Sequence, residues 1–76
     1  MTDRVLRVGQ DSSLELDGES VTLDALEAAL AQDKEQGITE PFKVYAPTLA
    51  DEKVMTSILI FSDKYRPSQI VMGNVS

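Results

Sequence analysis

The chain has no cysteine and no histidine. Without thiols there is no disulfide, no thiolate metal site and no cysteine nucleophile. Without imidazole, the commonest general base and the commonest transition-metal ligand are missing too. The lack of cysteine leaves the compartment open, because periplasmic and cytoplasmic domains alike do without it. Tryptophan is absent, and there are only two Tyr and two Phe, so a core has to be assembled from Val, Leu, Ile, Met and Ala. Positive charge is scarce: seven Lys and Arg stand against thirteen Asp and Glu, a net charge of −6. Scattered basic residues on an acidic chain do not neutralise phosphates, which argues against nucleic-acid binding. Anionic lipid repels such a surface weakly, and the plainest role of the acidity is solubility. No run approaches the roughly 20 apolar residues of a membrane span, and residues 1–10 contain no apolar segment of the signal-peptide kind.

What is present is one short domain. Seventy-six residues, 42% of them hydrophobic, give a single core over 1–76 and argue against disorder. Arg4–Val8 reads as a strand, and Gly9–Ser12 as a turn. Leu14 and Leu16 alternate with polar neighbours, the period of a half-buried strand. Asp17-Gly18 is a turn dipeptide, after which Ser20-Val21 briefly resumes. Thr22 is placed to cap a helix carrying Leu23, Leu26 and Leu30 on one stripe, with Asp24 in its first turn. Gly37 stops that helix. Phe42, Val44 and Ala46 form the buried phase of a further strand, ended by Pro47. Thr48 is expected to cap a second helix, with Asp51 three positions on. Its apolar stripe comprises Val54, Met55, Ile58, Leu59, Ser62 and Tyr65, with Phe61 on the edge and Ile60 pointing away. Arg66-Pro67-Ser68 breaks it before a last strand at Ile70–Met72. The order β-β-α-β-α-β is an α/β class chain, an α+β two-layer sandwich with both helices on one face of a small mixed sheet.

Catalytic chemistry finds no foothold. Glu15, Asp17 and Glu19 alternate along a strand and its turn, but the calcium-loop pattern with its distal Glu is missing, so they read as solvated charge. Asp24 and Glu27 share a helix side without a cleft around them. Ser12, Ser13, Ser57 and Ser62 have no histidine to activate them. Nothing in the sequence around Lys43 or Lys64 marks either as a general base, and no glycine-rich phosphate loop exists. The expectation is no catalytic residue, no cofactor and no metal.

Association is better supported. Tyr45 is an aromatic on the polar phase of its strand, and Ile60 is apolar on the outer side of its helix; either also fits an ordinary surface residue. The strands at the two ends, Val5–Val8 and Ile70–Val75, are candidate sheet edges able to accept an extended peptide or a second copy. Arg4, Arg7 and Asn74 are placed to guard them. The favoured edge is Gln69 to Val75, including Gln69, Ile70, Val71 and Met72, with Ile70 and Met72 facing the core and Val71 on Tyr45's side.

The run Leu14-Glu-Leu-Asp-Gly-Glu-Ser-Val-Thr-Leu-Asp-Ala-Leu-Glu-Ala-Ala-Leu30 resembles the periplasmic domain of the ExbD/TolR family: a strand, a turn, a Val-Thr stretch and an acidic helix start. Phe42–Ala46 looks like that family's next strand, Leu49–Tyr65 its second helix and Gln69–Gly73 its last strand. Pro47 departs from the acidic residue expected there, and Arg66-Pro67-Ser68 from a glycine-containing turn. The resemblance implies a proton-motive-force transducer supporting transport or envelope integrity. It implies a homodimer working with an ExbB/TolQ-like channel and engaging a TonB/TolA-like partner or peptidoglycan of the cell wall. The membrane helix and its proton-carrying Asp lie outside these 76 residues, so no residue here carries the proton step. Two alternatives stay open. A ubiquitin-like β-grasp carrier shares the hairpin and helix but needs a terminal Gly-Gly where this chain reads Gly73-Asn-Val-Ser76. An acidic adaptor would dock a basic partner and weaken steeply with salt.

Overall fold

The computed structural model describes residues 4–73. Five strands form one mixed sheet: β1 (Val5–Val8), β2 (Leu14–Leu16), β3 (Glu19–Val21), β4 (Phe42–Ala46) and β5 (Ser68–Met72), in spatial order β3-β2-β1-β4-β5. Helices α1 (Leu23–Glu35) and α2 (Glu52–Lys64) follow β3 and β4. The first three strands are an antiparallel meander. β4 and β5 are added in parallel, a pairing that requires crossovers, and the helices supply them. The fold class and the packing of both helices on one sheet face are as the periodicity indicates. The extra strand is β3: the segment resuming at Ser20-Val21 pairs with β2 through a two-residue hairpin. Asp17 (φ 52°) and Gly18 (φ 86°) both take left-handed backbone there, the geometry that matches strand twist. The Asp17 carboxylate also accepts the Val5 N–H at 2.9 Å.

Alternation sorts the side chains of the sheet. Leu6, Val8, Leu14, Leu16, Phe42, Val44 and Ala46 point to the helices and close one core with Leu26, Leu30, Val54 and Ile58. The opposite phase, including Arg7, Glu15, Lys43, Tyr45, Gln69 and Val71, lies on the open face. α1 begins where Thr22 Oγ1 accepts the Ala25 N–H at 3.1 Å. It ends in a Schellman motif, with Gly37 at φ 77° and N–H groups of Gly37 and Ile38 donating to Lys34 O and Asp33 O.

α2 departs from expectation at two points. Its cap is Asp51, whose carboxylate accepts the Lys53 N–H at 2.8 Å, and not Thr48. Pro47 opens a turn closed by Ala50 N–H donating to Pro47 O, so the chain is still turning at Thr48. Ser12 Oγ donates to the other Asp51 oxygen at 2.8 Å, and these bonds hold the Asp51 carboxyl below the ordinary carboxylate value. The second departure is Leu59, which is 54% exposed. The buried stripe is narrower, with Val54 and Ile58 at its centre and Met55, Phe61 and Tyr65 on its flanks.

Candidate functional site

The two edges of the sheet differ sharply. β3 is three residues long and exposes Glu19, and charge on a short strand blunts an edge against pairing. β5 reads Ser-Gln-Ile-Val-Met, with no charge, no proline and five residues of regular pairing to β4. Val5–Val8 is no edge at all: β1 is the central strand, held between β2 and β4. The role expected of Arg4 and Arg7 as edge guards falls with it. The continuation of the last strand to Val75, and Asn74, lie outside the described residues.

The direction of each β5 backbone group follows from two bonds that bracket the strand. Phe42 N–H donates to Pro67 O at 3.1 Å, and Gly73 N–H donates to Ala46 O at 3.2 Å. Backbone polar groups alternate sides along a strand, so Gln69 and Val71 point theirs inward at β4 as well. The N–H and C=O of Ile70 and Met72 therefore point outward, and β5 is the last strand of its sheet. Ile70 is half-buried against the core, whereas Met72 is 54% and Val71 45% exposed.

Helix α2 meets the start of this edge. Ser62 Oγ donates to Ile58 O at 2.7 Å and lies 2.6 Å from Ser68 Oγ, at the start of β5. Met55 and Leu59, seven and three residues before Ser62, share that side of α2. The exposed Leu59 thus belongs to the helix side nearest β5, next to the half-buried Met55. Apolar periodicity puts Leu59 on the core stripe, because it does not separate a core-facing residue from an exposed neighbour on the same side of the helix. Of the residues singled out in the sequence, Gln69, Ile70, Val71 and Met72 form the edge. Tyr45 lies beside Val71 in register on the open face. Ile60 is not brought together with them: about 200° around the helix from Ser62, it is 54% exposed on the outer side.

The start of β5 is fixed by a buried charge cluster that no local sequence pattern discloses. Asp33, near the end of α1, is 1% exposed, and so is Arg66. Asp33 Oδ2 accepts from Arg4 Nε at 2.6 Å and from Arg66 NH1 at 2.9 Å, while Oδ1 accepts from Arg4 NH2 at 3.0 Å. Arg66 Nε donates to Glu40 O at 2.5 Å, and the Arg66 guanidinium lies 6.0 Å from the Phe42 ring centroid. Burial works to raise the Asp33 pKa, but the hydrogen bonds and charges of Arg4 and Arg66 outweigh it and hold the carboxyl below its ordinary value. The cluster ties the N-terminal end of β1, the end of α1 and the entry to β5 at one point.

Over the open face, Tyr45 separates two shallow clefts. One, of about 710 Å³, is bordered by Arg7, Gln10, Pro47 and Gly73. The other, of about 290 Å³, is bordered by Arg4, Pro41 and Lys43. Among the described residues no group of three Asp or Glu side chains is arranged to hold a metal ion, and no helix is long and apolar enough to cross a membrane. No protein-family model matches the chain, and no curated protein is significantly similar to it.

Proposed function

We propose that this chain is a non-catalytic interaction domain, an ExbD/TolR-like periplasmic domain of a proton-motive-force transducer, that dimerises and engages its partner by strand addition at β5. The observation that carries the reading is the uncharged β5 edge, with the Ile70 and Met72 backbone groups directed outward beside the exposed Met72 and Leu59 side chains. An added strand gains main-chain hydrogen bonds there, and its alternate side chains find apolar surface on the helix side. Copies carrying a charge of −6 each repel over most of their surface, so an uncharged strand is where two can meet about a two-fold axis. A five-residue edge gives a small, reversible contact, suited to force transfer that must engage and release. Support for the family is the order of elements running through Leu14–Leu30, Phe42–Ala46 and Gln69–Gly73. In that setting an ExbB/TolQ-like channel works through a membrane helix outside this sequence, and a TonB/TolA-like protein or the cell wall receives the work. Co-purification of the full-length protein with an ExbB/TolQ-like channel tests that setting; no complex would refute it.

The edge itself is tested by Met72→Pro. The missing N–H is an outward one, so the fold survives, and dimerisation measured by sedimentation equilibrium weakens by about tenfold or more, the equivalent of about 1.4 kcal/mol. Val71→Pro behaves oppositely: its N–H belongs to the β4–β5 ladder, and circular dichroism shows loss of structure. A folded Met72→Pro chain with unchanged dimerisation and partner binding rules out β5.

A further inference from the structure

The open face of the sheet carries a second feature, independent of the β5 edge. Of the seven basic residues in an acidic chain, Arg7 and Lys43 are exposed on this face, one bordering each of the two clefts that flank Tyr45. Arg4, the other basic residue at these clefts, is held by Asp33 and lies 3.8 Å from Asp17. Arg7 stands opposite Glu15 in the β1–β2 register, yet the two form no ion pair. The Arg7 guanidinium lies instead over the Tyr45 ring, 5.9 Å from its centroid. A guanidinium on an aromatic face is held in place while its in-plane N–H groups stay available for a carboxylate. Lys43 likewise has no ion pair among the described residues.

The spacing narrows the ligand. Lys43 pairs with Val5, and Arg7 with Tyr45, so the two cations occupy diagonal positions on adjacent parallel strands, about 8 Å apart at the backbone and within reach of each other's ligand through their long side chains. Same-side residues of an extended chain repeat every ~6.6–6.8 Å. We propose that this face binds an extended acidic peptide segment, two carboxylates at i and i+2 meeting Arg7 and Lys43 and the residue between them pointing away from the sheet. The same-face carboxylate of Glu15 opposes the ligand and limits its affinity.

The test uses the peptide acetyl-Glu-Ser-Glu-Ser-Glu-amide, with its lysine counterpart as control, titrated into the 76-residue chain at low salt by calorimetry and by amide chemical shifts. The expected result is saturable binding of the acidic peptide alone, against the sign of the net charge, with shifts centred on Arg7, Lys43 and Tyr45. Arg7→Gln with Lys43→Gln weakens it about tenfold or more, Glu15→Gln tightens it severalfold, and higher salt weakens it. Met72→Pro leaves it unchanged, which separates this site from the β5 edge. Circular dichroism establishes that each variant is folded, and Lys43→Gln alone serves if the double variant is not. The proposal is overturned by absent saturation, by equal binding of the lysine peptide, by shifts confined to β5, or by a folded Lys43→Gln chain that binds as well as the original.

Discussion

Replacing Asp33 by alanine destabilises the chain by about 3–5 kcal/mol, because it removes the buried carboxylate that accepts three hydrogen bonds from Arg4 and Arg66. A domain of this size holds only about 4–11 kcal/mol in total, taking the usual range per residue. The variant is therefore largely unfolded at moderate urea concentrations that the original chain tolerates. The pair of charges is not itself a large net source of stability, since both had to be taken out of water; the penalty comes from removing one side of it. Asp33→Asn, which keeps the size and an acceptor, is expected to cost less than the alanine variant but still more than 1 kcal/mol. Urea unfolding followed by circular dichroism measures both, and a loss below about 1 kcal/mol for Asp33→Ala would contradict the placement of Asp33 at the centre of a buried charge cluster.

The same cluster sets an acid limit. The Asp33 carboxyl has a folded-state pKa below its unfolded value of about 3.9. Above that value the folded chain gains the full contribution of the ionised carboxylate, and the gain is lost as pH falls through the folded pKa. Stability should therefore drop progressively below about pH 5, and Asp33→Asn should flatten that part of the profile. Asp11 and Asp51 are lowered as well, Asp11 by Ser13 and Asp51 by Ser12 and Lys53. Their exposure makes them minor contributors to the same slope.

Leu26→Ala costs about 2–5 kcal/mol, from lost transfer energy and the cavity left behind. Leu26 is fully buried on α1, in the cluster that includes Leu6, Leu16 and Leu30. The informative comparison is Leu59→Ala. Both leucines sit on helical stripes in the sequence, but Leu59 is exposed, and its truncation should change stability by no more than about 0.5 kcal/mol. Equal costs at the two positions, measured by urea unfolding, would contradict the placement of Leu59 outside the core.

Local patterns made much of this fold legible. The alternation of Leu14 and Leu16, and of Phe42, Val44 and Ala46, marks strands and their inner face. Thr22 and Gly37 bound α1 with a cap and a stop whose geometry is local. Pairing partners were not legible. The four residues of β1 look the same whether they end a sheet or centre it, and β1 becomes central because it meets β4, about 38 residues on in the chain. β3 is too short for its period to register. Thr48 and Asp51 compete for one cap, and the Pro47 turn decides between them. Asp33 lies in a run of polar helix residues and Arg66 in a helix-breaking tripeptide; each looks solvated until the fold brings them within 2.9 Å.

The β5 edge is most directly tested by hydrogen exchange at the Ile70 and Met72 amides as a function of chain concentration. Strand addition predicts fast exchange of both in dilute solution and protection that grows with concentration in step with dimer formation, while Gln69 and Val71 are protected throughout. Ile70 and Met72 amides that remain fast at every concentration, in a chain that sedimentation shows to be dimeric, would contradict it and place the association surface elsewhere.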